Sequence, residues 1–156
     1  MPNYNKIIDD VTSHQLLQNI SIYNVFHFAG HASVIHKTNS WNLICNDREL
    51  NIIELIKLMN NTFLANLAGC RTGVQTALKT GDLISMAGVF VINQVPKFIG
   101  NLWPVHDKMA VNFSEKFYDY WLNKNHSVSE SVRLAMLDNK RDFPNPYRWG
   151  SPVIFD

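Results

Sequence analysis

Segments typical of β-strands and of α-helices alternate along this chain, and the alternation limits the fold more than any other feature. Short β-prone runs lie at 23–29, 62–68, 97–103 and 149–155, with helical patterns between them. Such an order predicts an α/β fold with a mainly parallel sheet. Right-handed crossovers then place helices on both faces of the sheet. Pro152 cannot donate to a neighbouring strand, so the last run is expected at a sheet edge.

Capping patterns mark where the helices begin. A Thr or Ser followed three residues later by Gln or Glu forms a capping box, because each side chain can bond the other's backbone N–H. Capping boxes predict helices at 13–20 after Thr12 and at 127–139 from Ser127, and the similar pattern from Asn51 to Glu54 predicts a helix at 51–60. Two further helices are predicted at 81–93, opened by Gly81-Asp82, and at 107–123, capped by Asp107. Residues 30–42 read as polar and irregular, and 42–50 as a small hairpin that turns at Asn46-Asp47.

The composition narrows the class of protein. With 156 residues and 46% hydrophobic residues, the chain predicts a single domain over residues 1–156 that has a real core. A formal charge of +1 argues against a general nucleic-acid binder. No apolar run is long enough for a membrane span, and the N-terminus has no signal-peptide pattern, so we expect a cytoplasmic location without membrane contact. Two cysteines cannot form a disulfide framework, which favours free thiols.

Two reactive side chains follow neighbouring predicted strands. His31 comes two residues after the strand at 23–29, and Cys70 comes two residues after the strand at 62–68. The carboxyl ends of parallel strands meet at one rim of a sheet, where ligands bind, so the topology predicts that these residues lie near each other. A thiolate is a strong nucleophile, and a nearby imidazole can stabilise it or protonate a leaving amine. Gly69 and Gly73 would let a substrate approach the backbone closely.

Alternative interpretations stand beside this one. A lone cysteine is usually a small buried hydrophobe, and Cys45, which has no histidine nearby in the sequence, is interpreted in that way. The histidines His27, His31 and His36 do not have the four close ligands of a structural zinc site, so we expect no metal. His27 reads as a buried, hydrogen-bonded strand residue, and no motif for a nucleotide or other cofactor is present.

Several segments resemble one family. Residues 25–32, VFHFAGHA, are similar to the HFAGHG strand of CHAT domains, a branch of the caspase-like cysteine peptidases, and 67–73, LAGCRTG, resemble their LSACETG loop. Gly81-Asp82 with Ala87-Gly88 is similar to the helix that follows in the family. Residues 100–107, GNLWPVHD, resemble ASLWPVDD, and 146–155 resemble the closing HPYYWAAFVL. The segments occur in the family's order, and His before Cys on an α/β sheet is the caspase-like arrangement.

The resemblance implies a CHAT-type cysteine endopeptidase with a catalytic dyad of His31 and Cys70. It implies an oxyanion hole formed by the backbone N–H groups of Cys70 and Ala32, and preorganised donors of this kind are often the largest catalytic contribution. A peptide substrate would pair with the strand end formed by Gly100, Asn101, Leu102 and Trp103, as in β-augmentation. Trp103 would line a specificity pocket or support the strand end.

Differences from the family keep a second function open. Ala32 follows His31 where the family usually has glycine, and its methyl group would crowd the oxyanion if φ had to be positive. This favours the alternative of a catalytically weak or inactive CHAT-like module that binds a peptide or partner. A weaker alternative is a Cys–His transferase or thioesterase. His106 stands where the family has an acidic residue, and it is interpreted as a solvated or capping side chain.

The resemblance also predicts an incomplete central sheet and partners for this chain. It begins just before the His31 strand, so the expectation is an N-terminally truncated caspase-like sheet, a single partial CHAT domain in which strand 23–29 has an open edge. Open edges pair readily with other strands. We therefore expect pairing with another segment, or self-association. Family members often act with helical-repeat or sensor domains, so the resemblance implies such a partner beside the protein substrate.

Overall fold

The computed structural model describes residues 10–35, 40–68, 75–77 and 83–156. Its strands are β1 (Val25–Phe28), β2 (Ala32–Ile35), β3 (Ser40–Ile44), β4 (Glu49–Asn51), β5 (Leu64–Leu67), β6 (Gln75–Ala77), β7 (Leu83–Ser85), β8 (Lys97–Asn101) and β9 (Pro152–Phe155). Its α-helices are α1 (Ser13–Asn19), α2 (Ile52–Ile56), α3 (Met86–Ile92), α4 (Asp107–Tyr118), α5 (Val128–Asp142) and α6 (Pro146–Trp149). A 3₁₀ turn over Ile20–Ile22 follows α1, and a π-helical turn over Asp119–Asn123 follows α4.

The central sheet has the order β1-β5-β8-β9 within the described residues. β1, β5 and β8 run parallel, whereas β9 runs antiparallel to β8. The prediction that Pro152 places the last strand at an edge is confirmed. The α/β fold with a mainly parallel sheet is confirmed as well.

Helices cover both faces of this sheet, because strand side chains alternate between two cores. Phe26 and Phe28 of β1 point into one core, where Leu55 of α2 and Phe90 of α3 are buried. On the other face, β5 contributes Leu64 to a core formed by α4 and α5. β5 and β8 thus bury apolar side chains on both faces, as expected for a sheet between two helical layers.

A small antiparallel sheet of β2, β3 and β4 corrects the expectation for residues 30–42. Ala32 pairs with Leu43, and Ile35 pairs with Ser40, so most of this polar stretch is strand. The predicted hairpin at 42–50 is confirmed, since β3 pairs with β4 and the Cys45 N–H bonds to the Arg48 carbonyl at 3.0 Å. Pairing between β2 and β3 orders a segment whose own composition favours a loop.

The helix starts follow the capping patterns with two exceptions. The Thr12–Gln15 capping box is present in full, and the Ser127 side chain accepts from the Glu130 N–H. The third predicted helix begins at Met86 instead of Gly81-Asp82, which lies outside the described residues, because β7 occupies 83–85. In the parts of the chain that the structure describes, no helix combines the length and the apolar character needed to cross a bilayer.

The N-cap of α4 is the second exception. It is His106, whose Nδ1 accepts from the Lys108 N–H at 3.4 Å, and Asp107 is the first helical residue. The expectation that Asp107 caps this helix is therefore wrong, and the interpretation of His106 as a capping side chain is confirmed.

Candidate active site

The carboxyl ends of β1, β5 and β8 form one rim of the central sheet. Phe28 at the end of β1 stands level with Leu67 at the end of β5. The pairing continues one step further, since the Ala68 N–H donates to the Phe28 carbonyl at 2.9 Å. The strand that precedes His31 and the strand that precedes Cys70 are therefore hydrogen-bonded neighbours up to the rim.

Gly30 permits the turn between β1 and His31. A Cβ added at Gly30 would lie 2.8 Å from Cε1 of Phe28, which is closer than side-chain carbons approach. The Phe28 ring is only 5% exposed and stacks on Phe26, so it has little room to move. Gly30 therefore lets the chain pass directly over a core ring. The sequence showed that a strand ends here but not that Phe28 imposes the glycine.

His31 is exposed, and its backbone is fixed. Its carbonyl accepts from the Ile44 N–H at 2.9 Å, which joins the turn after β1 to the small antiparallel sheet. The side chain remains open to solvent at the rim. A fixed backbone with an accessible ring suits a residue that exchanges protons with a bound substrate.

Ala32 has a backbone direction compatible with the oxyanion role. Ile44 bonds to His31, so in the alternating ladder of an antiparallel pair the next pair, Ala32 and Leu43, is of the non-hydrogen-bonded kind. The Ala32 N–H consequently points away from β3. Ala32 has extended backbone, and the described non-glycine residues with positive φ lie elsewhere in the chain. The methyl group therefore meets no backbone strain here.

Of the two cysteines, Cys45 lies among the described residues and Cys70 does not. Cys70 and its flanking Gly69 and Gly73 lie outside the described residues. Cys45 is free, 7% exposed and packed in the core. Burial raises the pKa of the Cys45 thiol, the nearby Asp47 carboxylate raises it further, and Arg48 lowers it by less. A buried thiol with a raised pKa is a weak nucleophile, in keeping with its structural interpretation.

The strand end predicted to bind substrate is tied to the protein's own chain on one side. Gly100 and Asn101 pair with β9. Beyond them, the Leu102 N–H donates to the Ser151 carbonyl at 2.9 Å, and the Trp103 N–H donates to Ser151 Oγ at 3.1 Å. The Ser151 hydroxyl in turn donates to the Trp103 carbonyl at 2.9 Å. The side of this segment that faces away from β5 is thus occupied by β9 and Ser151, a role for Ser151 that sequence reasoning missed.

The Trp103 side chain supports the strand end. Its indole N–H donates to the Tyr147 carbonyl at 2.8 Å, and its ring stacks on the Tyr147 ring at 5.5 Å between centroids. Both contacts hold α6 against the segment after β8. Of the two roles expected for Trp103, its contacts match support of the strand end.

Comparison with protein families shows the family to which this chain belongs. A family model described as the CHAT domain matches residues 5–155, nearly the whole chain. The chain belongs to the CHAT domain family. No curated protein matches it. Membership confirms the resemblance drawn from the quoted segments and makes the protein a member of a caspase-like peptidase family.

His27 lies in β1 of the CHAT fold, one residue before Phe28 at the rim. Its Nδ1 lies 3.0 Å from the Tyr118 hydroxyl, so the predicted hydrogen bond is confirmed. The predicted burial is wrong, because β1 is an edge strand of the described sheet and more than a third of the His27 surface is exposed. The ring edge against Tyr118 is shielded from water, and this desolvation lowers the pKa of His27 below its usual 6.5. Burial also raises the pKa of Tyr118 to about 12, so its hydroxyl keeps its proton.

A cavity of about 310 Å³ opens beyond the end of β8 in the CHAT fold. Val105 lines it just before α4, Lys108 lines it from the first turn of α4, and Tyr147 and Arg148 line it from α6. Within the described ranges, no group of three or more His, Cys, Asp or Glu side chains comes together as a metal site would require. His36, the third histidine of the zinc alternative, lies outside the described residues.

Proposed function

We propose that this CHAT domain is a cysteine endopeptidase with Cys70 as the nucleophile and His31 as the general acid and base. The observation that carries the proposal is the exposed His31 ring at the rim, beside the strand end that leads to Cys70. Ala68 is bonded to Phe28, and two further residues of extended chain span at most about 7 Å. That reach is compatible with a thiol and an imidazole acting on the same substrate.

The reaction then proceeds in two halves. Cys70 Sγ attacks the carbonyl carbon of the scissile peptide bond, and His31 takes the thiol proton. His31 gives that proton to the amide nitrogen as the C–N bond breaks, so the amine product leaves and a thioester remains on Cys70. Water then attacks the thioester and His31 takes its proton. Collapse releases the carboxylic acid product, and the proton returns to the Cys70 thiol.

The oxyanion of each tetrahedral intermediate would be held by the backbone N–H groups of Ala32 and Cys70. The direction of the Ala32 N–H away from β3 supports this assignment for Ala32. At Leu102 and Trp103 a pairing peptide would use the side that faces away from Ser151, because Ser151 bonds the other side of both residues.

Covalent labelling tests the proposal directly. A peptide that carries an acyloxymethyl ketone should label the wild-type protein at Cys70, and the label should disappear in Cys70→Ala. Cys45→Ala is the matched control and should keep the label, because Cys45 is buried with a raised thiol pKa. Labelling that persists in Cys70→Ala would overturn the proposal.

The binding-module alternative predicts a different pattern. Such a module would bind a partner equally well in the wild type and in Cys70→Ala, and would cleave no peptide. A positional peptide library incubated with the wild-type protein separates the two, because only the peptidase generates new amino termini. No cleavage across the library, together with unchanged partner capture by Cys70→Ala, would favour the module.

The outer side of β1 supports a proposal about partners. Among the described residues β1 hydrogen-bonds to β5 alone, so its other side can accept a strand from a second polypeptide. A second copy of this chain is the simplest source. Sedimentation over a hundredfold dilution should then show a dimer that dissociates, and a monomer at every concentration would contradict self-association.

A further inference from the structure

Two buried amide side chains lie on the face of the central sheet that α4 and α5 cover. Asn66 belongs to β5 and is 2% exposed, and Asn139 belongs to α5 and is 1% exposed. Asn66 shares its face with Leu64, which packs in the core formed with α4 and α5, because side chains two residues apart in a strand point the same way. An unpaired polar atom at either position costs free energy, since both side chains are shielded from bulk water.

One polar atom of each amide has no hydrogen-bond partner among the described residues. These atoms are Nδ2 of Asn66, which is a donor, and Oδ1 of Asn139, which is an acceptor. The Asn66 amide opposes the rise in the pKa of the Tyr118 hydroxyl, but no hydrogen bond of normal length joins Asn66 Nδ2 to that hydroxyl. Tyr118 is bonded to Nδ1 of His27 at 3.0 Å. Buried polar atoms are nearly always paired, so these two call for a partner that is not one of these side chains.

Both amides line one small internal space between the sheet and α4. Its volume is about 10 Å³, which is about what a single water molecule needs and too little for a larger ligand. Asn101 adds a third amide to the lining, and Ile99 and Phe113 supply apolar wall. The space therefore combines the size of one water molecule with the polar groups that hold a buried water, which an apolar cavity lacks.

A route for solvent leads to this space from the larger cavity beyond β8. Val105, Met109 and Arg148 line both spaces, so the two adjoin each other in the fold. Arg148 is exposed, and its long side chain is the part of this shared boundary that can move most easily. Water can thus enter and leave the inner space without any separation of the sheet strands.

Water suits this pair of atoms better than an ion does. A cation would meet the Asn66 N–H group and the Arg148 guanidinium, and an anion would meet the Asn139 side-chain oxygen. A water molecule accepts a hydrogen bond from a donor and donates one to an acceptor, so it satisfies both amides at once. Buried waters typically make about three hydrogen bonds, and Asn101 is a further polar neighbour.

We propose that this space binds one water molecule, which accepts a hydrogen bond from Asn66 Nδ2 and donates one to Asn139 Oδ1. The water joins β5 to α5 one residue before β5 ends at the rim. The proposal concerns the support of this central strand, and it does not depend on the reaction proposed for the protein.

A crystal structure at a resolution that orders internal waters tests the site directly. One water should lie within roughly 2.7–3.2 Å of both Asn66 Nδ2 and Asn139 Oδ1. Three results would each overturn the proposal: a dry space, a direct bond between the two asparagines, or a side chain from the remaining part of the chain bonded to these atoms.

Water contact in solution gives a second measurement. The side-chain amide protons of Asn66 should show cross-relaxation with water, in the sense that indicates a long-lived contact. Asn42 is the matched control and should lack this signal, because it is also buried and its Nδ2 donates to Glu49 Oε2 at 2.9 Å. Asn139→Leu should remove the Asn66 signal, since the water then loses one of its two partners. A signal unchanged in Asn139→Leu, or no signal in the wild type, contradicts the shared site.

Leucine variants measure the energetic link between the two amides. Asn66→Leu and Asn139→Leu each leave the other amide atom without its bridge, so each should lower the free energy of unfolding. The double variant should lose less than the sum of the two single losses, because no unpaired buried atom of the pair remains. Asn42→Leu combined with Asn139→Leu is the control pair and should be additive. Additive losses for Asn66 and Asn139 would also overturn the proposal.

Discussion

The two outer strands of the parallel part of the sheet end in opposite ways at the rim. After β1, Gly30 turns the chain over a core ring and leaves the His31 side chain in solvent. After β8, Ser151 bonds the backbone of Leu102 and Trp103, and the Trp103 ring is held against Tyr147. One end exposes a reactive group, whereas the other fixes the frame beside it. A site that performs chemistry on a long substrate needs both, since reacting groups must be accessible and binding walls must not move.

Removal of the His31 ring tests the exposed end and should have the largest effect. His31→Ala should lower kcat/KM on a cleaved library peptide by about 10²- to 10⁴-fold, because it removes the proposed proton-transfer group. The midpoint of thermal unfolding should hardly change, since the side chain is exposed. His14→Ala, an exposed histidine on α1, is the control and should leave both quantities unchanged. Equal turnover by the His31 and His14 variants would contradict the catalytic role.

Gly30→Ala tests whether the turn itself positions His31. The added methyl group meets the Phe28 ring at 2.8 Å, and displacement of a packed ring typically costs about 1–3 kcal/mol of unfolding free energy. Turnover should fall as well, because His31 follows directly. Chemical denaturation and kinetics of the variant measure both effects.

A second substitution identifies the cause. Phe28→Leu removes the ring atoms that the methyl group meets, so the double variant should be less destabilised than the sum of the two single changes. Additive free energies in this cycle would mean that the contact with Phe28 is not what requires glycine.

Ser151→Ala tests the fixed end. Ser151 is 0% exposed, and its hydroxyl bonds both the N–H and the carbonyl of Trp103. Loss of a buried hydroxyl that serves two backbone groups should reduce the free energy of unfolding by about 1–3 kcal/mol. Ser129→Ala removes a hydroxyl whose partner, Asp156, is exposed, and should cost much less. The comparison fails if the two serine variants unfold at the same denaturant concentration.

The smallest expected effect concerns the pH dependence conferred by His27. Desolvation lowers the folded-state pKa of His27 below 6.5, so between the two pKa values the unfolded chain binds more protons. The stabilisation is therefore present above pH 6.5 and is lost as the pH falls toward the folded-state pKa. The midpoint of thermal unfolding of the wild type should fall from pH 7.5 to 6 and to 5, and the fall should be smaller in His27→Gln. Identical slopes for both proteins would mean that other groups cause the decrease.

Much of the fold was predictable because its signals are local. The apolar runs of β1, β5 and β8 and the Thr12–Gln15 capping box are encoded by residues next to one another, and all are present. The rim position of His31 also followed from its place after a strand. The position of Cys70 stays a prediction, as it lies outside the described residues.

Two of the errors came from how a segment pairs with other strands. β2 is a strand because it pairs with β3, although its own residues are polar and irregular in pattern. The strand pattern around His27 predicted a buried side chain. Among the described residues β1 has a strand partner on one side alone, so the ring keeps solvent contact. Neither outcome has a signal within the segment itself.

The amino-acid sequence by itself determined the α/β class, the helix starts at Thr12 and Ser127 and the family, because spacing and capping are properties of neighbouring residues. Only the tertiary structure decided how the rim is built. Ser151 reaches Trp103 across 48 positions of the chain. Such a contact forms only when a parallel and an antiparallel strand have been brought side by side, and the free energy that selects it comes from burying both strands together.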